Sequence, residues 1–157
     1  KGHRNPQGMA VIDNKIFLVE HGPKGGDELN IIQENGNYGW NKFSYGTKYG
    51  SPDQSYNNHS NQFIEPTFYF TPSIGISDVE NCPTILNDPG YKNCMLISSM
   101  KDGSFYVLKP NKRSGLIQSL ERVELGKRIR KIRSSNKSIF LFTDNQSIVK
   151  IDYLKLE

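Results

Sequence analysis

The sequence predicts an all-β protein, and three observations support this prediction. Short apolar stretches recur along the whole chain, and each one ends in Gly, Asn, Asp or Ser residues that favour turns. No segment keeps an apolar period of 3.6 residues, so we expect almost no helix. The repeating units span about 40 to 50 residues, which is the size of a four-stranded propeller blade. Periodicity alone supports a propeller and a β-sandwich about equally.

The first half of the chain contains a predicted hairpin and two further extended segments. Asp13 and Asn14 form the turn of the hairpin, because these residue types tolerate the tight connection between two strands. Residues 47–61 are polar and rich in Gly, Ser, Asn and Tyr, which predicts a long surface loop. The predicted extended segments are residues 9–12, 15–19, 27–33 and 63–70, the last interrupted by Pro66.

The second half repeats this rhythm of short strands and turns. Residues 100–103 (MKDG) form a turn with Asp-Gly chemistry, and turns are also expected at residues 134–136 and 144–145. The predicted strands are residues 94–98, 104–108, 116–125, 129–132, 138–142 and 147–151.

The size and charge of the chain exclude some classes of protein. The 157 residues suffice for one domain with a core of its own. The net charge is only +4, and the one dense basic segment, residues 127–133, alternates like a strand, so nucleic-acid binding is not expected. No apolar run approaches the roughly 18 residues needed to span a bilayer. The chain starts at Lys1 without an initiator Met, so we expect it to be processed, trimmed or incompletely determined.

The cysteines allow two interpretations. Cys82 and Cys94 lie twelve positions apart without a CxxC or Cys/His pattern, which argues against a zinc site. They form either one disulfide in an oxidising compartment or two partly buried free thiols, and their separation in sequence does not decide between these.

Polar, glycine-rich motifs dominate the first fifty residues. Glycines permit positive φ and a close approach of the backbone to a ligand. Asp27 and Glu28 are adjacent carboxylates, whose hard oxygens suit calcium. Each motif alone is explained as well by a solvated turn. The motifs are residues 2–8 (GHRNPQG), 20–30 (EHGPKGGDELN) and 36–40 (GNYGW).

Together these motifs resemble the signature of the glucose/sorbosone dehydrogenase family, which includes quinoprotein glucose and aldose sugar dehydrogenases. Residues 98–103 (SSMKDG) and 128–130 (RIR) are similar to later motifs of that family. The resemblance covers about residues 2 to 152 and is weak between residues 47 and 64. It implies a six-bladed β-propeller that holds pyrroloquinoline quinone (PQQ) and calcium. Residues 1–157 would form about three blades, the C-terminal half.

The resemblance also implies the cofactor contacts. PQQ is a flat ortho-quinone with three carboxylates, so its site needs several cations. Arg128 and Arg130 occupy positions i and i+2 of a strand, which share one face and suit bidentate binding of carboxylates. The alternative is an edge strand whose basic side chains are simply solvated. The implied cofactor contacts are Arg4, Asn5, Lys101, Arg128, Arg130 and Ser73.

Two calcium sites follow from the same resemblance. The carbonyl groups of Gly22 and Pro23 are expected to bind the calcium ion that contacts PQQ. Lys24 replaces the Gln or Asn that is frequent next to them in the family, and its charge disfavours calcium unless it points away. A second, structural calcium would use Glu28 and the Tyr38 carbonyl, with Asp27 nearby.

The implied reaction oxidises the anomeric carbon of an aldose to a lactone and passes electrons to an external acceptor. The catalytic base of the family is a His in the N-terminal half, which this chain lacks, so no catalytic residue is expected here and the isolated chain should be inactive. His3 and His21 are interpreted as scaffold residues. The chain should need its N-terminal half or a second chain as partner, and a periplasmic or secreted location is expected.

Two rival functions remain open at this point. One is a non-catalytic propeller of the same family that serves as a binding module, as in proteins resembling hedgehog-interacting protein. The other is a carbohydrate-binding domain in which aromatic side chains stack on sugars. The sugar itself is not predictable, because residues 47–61 show no interpretable pattern.

Overall fold

The structure is a computed structural model that describes residues 1–56, 61–86, 91 and 93–153. Almost all of its regular structure is antiparallel β-sheet, and within these residues helix is confined to the short 3₁₀ turn Thr84–Leu86. The prediction of an all-β fold is therefore confirmed. The chain forms two compact units, Lys1–Ile76 and Ser77–Glu157. No helix of the described part is long and apolar enough to cross a membrane.

A four-stranded antiparallel sheet forms the centre of the first unit. Its hairpin turn is confirmed, since Asp13 and Asn14 both have positive φ, 49° and 56°, as a tight two-residue connection requires. Val19 and Leu29 are fully buried on this sheet. In chain order the strands of the unit are β1 (Pro6–Ile12), β2 (Lys15–Glu20), β3 (Asp27–Ile31), β4 (Thr47–Lys48), β5 (Ser51–Ser55) and β6 (Phe68–Phe70), and the main sheet has the order β1-β2-β3-β6.

Two predictions for the first unit were wrong in detail. The predicted surface loop at residues 47–61 contains the β4–β5 ribbon, which its polar sequence did not indicate. Residues 57–60, with His59, lie outside the described part. The ribbon is fixed by its backbone, because Thr47 and Lys24 exchange N–H···O bonds of 2.9 and 3.2 Å. The extended segment at residues 63–70 is a strand only in its last three residues.

The second unit contains a four-stranded and a three-stranded antiparallel sheet. The first of its strands, β7, was not predicted, because its buried residues include the polar Ser77 and Asp78. The strands are β7 (Ile76–Asn81), β8 (Met95–Ser99), β9 (Ser104–Pro110), β10 (Ile117–Glu124), β11 (Ile129–Ser134), β12 (Ser138–Thr143) and β13 (Ile148–Asp152), in sheets ordered β10-β9-β8-β7 and β11-β12-β13. Both four-stranded sheets are blade-like, and the number of six blades stays a prediction.

Polar contacts tie β7 to β11 within this unit. The Ser77 hydroxyl donates to the Ile129 carbonyl at 2.5 Å. The carboxylate of Asp78, only 1% exposed, accepts from the Ile132 N–H at 3.2 Å and from Arg133 Nη1 at 2.6 Å. These bonds compensate for the burial of polar groups in a strand.

A disulfide joins Cys82 to Cys94 and resolves the question left open by the sequence. It connects the end of β7 with the start of β8 and lies in the main apolar cluster of the unit. That cluster also contains Leu96, Phe105, Val107, Ile129, Ile132, Ile139 and Leu141.

Strand β11 carries a bulge at Arg130. Ile129 pairs with Thr143 and Lys131 with Phe142, so one extra residue lies on the β11 side. As a result Ile129 and Ile132 are both buried although three positions apart, and the two residues between them are exposed.

Candidate functional site

A small pocket in the first unit brings together four of the residues predicted from sequence. Its volume is about 10 Å³, which is room for about one water-sized species. Arg4, Gly22, Glu28 and Tyr38 reach it from three separate segments. Its complete lining is Gly2, Arg4, Glu20, His21, Gly22, Glu28, Tyr38, Trp40, Phe43 and Ser44.

Arg4 is held in this pocket by two contacts. Its guanidinium carbon lies 5.4 Å from the centroid of the Trp40 ring, a cation–π distance, and Nη1 donates to the His21 carbonyl at 3.3 Å. Asn5 is exposed, and its Oδ1 accepts from Gln7 Nε2 at 2.9 Å. Arg4 thus offers an oriented cation, while Asn5 offers an exposed amide beside it.

Glycines shape the loop between β2 and β3. A Cβ on Gly26 would lie 2.4 Å from the Gly46 nitrogen, and its φ is +68°. A Cβ on Gly22 would lie 2.2 Å from the carbonyl oxygens of Gly25 and Gly26. The loop therefore folds back on itself at a spacing that only glycine permits, which leaves backbone groups as its functional surface.

The expected calcium ligands in this loop have mixed surroundings. Gly22 and Pro23 are buried, whereas Lys24 is exposed, so its ammonium group is hydrated. The Pro23 carbonyl accepts a hydrogen bond of 2.9 Å from the Tyr49 hydroxyl. This bond uses one lone pair of the carbonyl and leaves the second available.

Asp27 is fully buried, and both of its oxygens are occupied by protein donors. Oδ1 accepts from the Gly22 N–H at 3.2 Å and the Ser73 hydroxyl at 2.6 Å, and Oδ2 from the N–H groups of Gly75 and Ile76 at 2.8 and 3.0 Å. Burial alone would raise the pKa of Asp27, but hydrogen bonds from His21, Ser73 and Ile76 hold it below its usual value. Asp27 therefore fastens the segment after β6.

Ser73 is part of this fastening. Its hydroxyl donates to Asp27 and accepts from the Gly75 N–H at 3.4 Å. The predicted contact of Ser73 with the cofactor stays a prediction.

Glu28 differs from its neighbour, because among the described residues only one of its oxygens has a protein donor. Asn30 Nδ2 donates to Oε2 at 3.2 Å. Burial, followed by the nearby carboxylates of Glu20, Glu65 and Asp27, raises the pKa of Glu28 to about 7, against the lowering effect of Asn30. A buried carboxylate with negative neighbours and open coordination capacity fits a cation.

Tyr38 packs its side chain inward and keeps its carbonyl open. Its hydroxyl donates to the Ile31 carbonyl and accepts from the Gln33 N–H, both at 2.8 Å. No described residue donates to the Tyr38 carbonyl oxygen. The Oδ1 atom of Asn30 is buried and lacks a donor within the described part. The residues present therefore match a site for a hard cation near Glu28.

Sequence reasoning missed the central role of Glu20, which is 3% exposed. Its Oε1 lies 2.6 Å from His3 Nδ1 and accepts from Asn30 Nδ2 at 3.1 Å. Its Oε2 accepts from the backbone N–H groups of Arg4 and Asn5 at 2.6 and 3.2 Å. Glu20 is the first residue of the second motif, and this position was a signal in the sequence. The residues that bind the Glu20 carboxylate, however, lie far from it in sequence.

In the second unit the predicted cations cluster around Asp144. Arg128 Nε donates to Asp144 Oδ2 at 2.8 Å, and Arg130 Nε donates to Oδ1 of the same carboxylate. The side chains of both arginines are well exposed, 59% and 60%. Asp144 was interpreted from sequence only as a turn residue. Its two partners lower its pKa, Arg128 contributing most.

Lys101 is connected to this cluster through its neighbour in sequence, Met100. Arg128 Nη1 donates a hydrogen bond of 3.4 Å to the Met100 carbonyl. Lys101 is exposed and forms no ion pair with any residue that the structure describes. The second unit therefore presents two arginines that share one carboxylate, and one of them contacts the backbone of the residue that precedes the exposed Lys101.

The structure thus assembles two sets of predicted residues, one within each unit. Convergence of both sets on a single cleft stays a prediction. Among residues 1–56, 61–86, 91 and 93–153, no group of three His, Cys, Asp or Glu side chains is arranged to hold a metal. A cation near Glu28 would depend on backbone carbonyl oxygens for its remaining ligands.

Comparison with known proteins gives a consistent result. Residues 1–150 match the family model described as Glucose / Sorbosone dehydrogenase. An aldose sugar dehydrogenase of Escherichia coli (strain K12) is 31% identical over 93% of this chain and 40% of its own length. Quinoprotein glucose dehydrogenase B of Acinetobacter calcoaceticus is 55% identical over 40 residues, 25% of this chain and 8% of its own.

A solved structure agrees with these matches. The crystal structure of a glucose dehydrogenase superimposes with a TM-score of 0.82 at 30% identity, and the match covers 98% of this chain and 46% of the other. The chain therefore spans less than half the length of the relatives that it matches.

Proposed function

The chain belongs to the glucose/sorbosone dehydrogenase family, and we propose that its complete protein oxidises the anomeric carbon of an aldose to a lactone with PQQ and calcium. In this proposal residues 1–157 are the C-terminal half of a six-bladed propeller and contribute part of the cofactor and calcium site. The observation that carries the proposal is the pocket in which Arg4, Gly22, Glu28 and Tyr38 meet. These are the residues that the resemblance assigns to the cofactor and the metal.

Calcium is supported by the donor set in the first unit. Glu28 supplies a buried carboxylate with an open oxygen, and the Tyr38 carbonyl has no described donor. Oxygen donors of this kind are what calcium prefers. Gly22 and Pro23 would offer carbonyl oxygens to the other calcium ion, the one that is expected to contact PQQ.

The exposed cations of the second unit support the proposal that it recognises a polyanionic ligand. Arg128 and Arg130 use their Nε–H groups on Asp144, and no described residue contacts the Nη1/Nη2 edge of Arg130, which could therefore bind a carboxylate. Lys101 has no described ion pair and can stabilise negative charge next to the arginines. When bound, PQQ accepts the hydride removed from the sugar.

The remaining parts of the reaction lie outside this chain in the proposal. The proton of the sugar hydroxyl is taken up by a histidine of the N-terminal half, and electrons leave to an external acceptor. A periplasmic or secreted location is part of the proposal, and the disulfide between Cys82 and Cys94 supports it, because such bonds persist in oxidising compartments.

The test is the combined substitution Arg128→Ala with Arg130→Ala in the full-length protein. Each charge-assisted contact contributes about 1.5 to 3 kcal/mol, so PQQ affinity should fall by at least about a hundredfold. Calorimetry measures that affinity, and aldose-dependent dye reduction measures activity. The matched control is Lys112→Ala with Arg113→Ala, which removes two exposed charges from a turn and should leave both quantities unchanged.

The binding-module alternative is favoured by one observation. Asp144 already neutralises part of the arginine pair, so the pair has a partner without any ligand. Unchanged PQQ affinity in the double variant, or no dye reduction by the wild-type protein with PQQ and calcium, would favour the binding module over the enzyme.

A further inference from the structure

Glu20 lies at the centre of a buried hydrogen-bond network to which the proposed reaction assigns no role. The carboxylate accepts four hydrogen bonds or close contacts, from His3, Arg4, Asn5 and Asn30. Two of these come from consecutive backbone N–H groups of the segment that precedes β1. A buried carboxylate that is saturated in this way fixes the conformation of the segment it binds.

That segment carries two of the three first-unit residues assigned to the cofactor, Arg4 and Asn5; the third is Ser73. The Arg4 and Asn5 N–H groups point to Glu20 Oε2 at 2.6 and 3.2 Å, so their side chains leave the backbone in directions that this carboxylate sets. His3, which binds the other oxygen, stacks on Tyr38 with ring centroids 4.2 Å apart. The segment is therefore fixed from both sides.

Asn30 extends the network to the candidate cation site. Its single amide nitrogen donates to Glu20 Oε1 at 3.1 Å and to Glu28 Oε2 at 3.2 Å. One continuous chain of hydrogen bonds thus runs from the Arg4 N–H to the Glu28 carboxylate. The three side chains that form this series of hydrogen bonds, Glu20, Asn30 and Glu28, are all buried.

We propose that Glu20 is a positioning residue that sets the conformation of the Arg4–Asn5 segment and thereby the presentation of the Arg4 guanidinium to an anionic ligand. Glu20 acts through Arg4 and does not itself touch the ligand. The inference rests on the proposed function only for the identity of that ligand, because the positioning of the segment is a property of the chain itself.

The first experiment needs no ligand. Glu20→Gln keeps the side-chain volume but replaces one acceptor oxygen with an NH2 donor. That donor faces the Arg4 and Asn5 N–H groups at one position of the amide, or the Asn30 amide N–H and His3 Nδ1 at the other. Hydrogen–deuterium exchange of the peptide spanning residues 2–8 in the full-length protein should accelerate by about tenfold or more. The matched control is Asp78→Asn, another buried carboxylate that accepts a backbone N–H, and it should not accelerate exchange in that peptide.

The second experiment is a double-mutant cycle with PQQ as the probe, read by calorimetry. Glu20→Gln should weaken PQQ binding by about tenfold when Arg4 is present and by about threefold or less in the Arg4→Ala background, because coupled residues do not add. Asp78→Asn should have the same effect on affinity in both backgrounds. Glu20→Asp, which keeps the charge but shortens the side chain, replaces Glu20→Gln if that variant does not fold.

The two readouts separate the possible failures. If the wild-type protein binds no PQQ, the proposed function is wrong, and the exchange measurement still decides the role of Glu20. If exchange in residues 2–8 is as slow in Glu20→Gln as in Asp78→Asn, or if the effects on affinity add fully, Glu20 is not a positioning residue.

Discussion

Asp27 and Glu28 are adjacent in sequence and have different roles in the folded chain. The sequence predicts both as oxygen donors near calcium, because residue type alone does not show how many lone pairs are in use. In the structure Asp27 accepts four hydrogen bonds from the segments that it joins. Glu28 accepts one and has an open oxygen. At the residue scale, the count of protein donors separates a structural carboxylate from a candidate ligand.

Glu28→Gln should weaken the calcium binding that is proposed at Glu28 and the Tyr38 carbonyl. The substitution keeps the size of the side chain and removes the charge that a hard cation needs, so calcium affinity should fall at least about tenfold. Calorimetry on chelator-treated full-length protein measures this. Glu34→Gln, an exposed carboxylate in the following turn, is the control and should bind calcium like the wild type. Equal affinity in both variants would contradict the assignment.

Asp102, beside the candidate cofactor contact Lys101, gives a prediction about pH. Burial alone would raise the pKa of Asp102, but hydrogen bonds from Ser99, Tyr106 and Arg122 hold it below its usual value. A lowered pKa in the folded state stabilises the protein above the unfolded pKa of about 3.9, and this stabilisation is lost as pH falls through the folded value. The difference in free energy of unfolding between wild type and Asp102→Asn should therefore be constant near neutral pH and shrink below about pH 4. Urea unfolding across this range measures it, and a difference that grows with acidity would be inconsistent.

At the scale of elements, most strands were predictable, but β7 and the β4–β5 ribbon were not. The β1–β2 hairpin and the strands β8 to β13 follow from alternating apolar residues and from turn residues, which are local signals. β7 buries Ser77 and Asp78, whose polarity is compensated by partners on β11 more than fifty positions away. Such compensation is a property of the fold and leaves no local pattern. The same reason explains why Glu20 and Asp144 escaped detection.

The disulfide at the junction of β7 and β8 should contribute measurably to stability. In the loop-entropy account, a closed loop of this length lowers the entropy of the unfolded chain and thereby stabilises the folded state by about 3 kcal/mol. Cys82→Ala with Cys94→Ala should lower the free energy of unfolding in urea by about that amount, and alanine avoids placing a new polar group in the apolar cluster. Reductant should destabilise the wild type and have no effect on the double variant. Equal stability of both proteins would mean that the bond does not form in solution.

For the whole molecule, the fold class follows from the sequence, but the assembly of the site does not. The spacing of strands and turns predicts all-β architecture, and the motifs of the first fifty residues indicate the family. Local pattern does not determine which distant side chains meet, so the pocket that joins Arg4 to Glu28 had to be found in the structure. The number of six blades and the meeting of the two cation sets in one cleft stay predictions about the complete protein.

Circular dichroism offers a check on the whole molecule. The described residues contain one 3₁₀ turn of three residues and thirteen strands. The far-ultraviolet spectrum should therefore indicate far less helix than the roughly one third found in average domains. A helix content above about a fifth would contradict the fold.

The bulge in β11 links the length of this strand to the presence of Arg130. Arg130 is the extra residue opposite Thr143 and Phe142, and it separates two buried isoleucines by three positions instead of two. A deletion of this one residue would restore regular pairing and preserve the hydrophobic alternation, so natural selection on folding alone would tolerate it. The guanidinium would be lost with it. Among diverging homologues, a β11 that is one residue shorter would therefore mark lineages that keep the sheet but lack the anion contact proposed for Arg130.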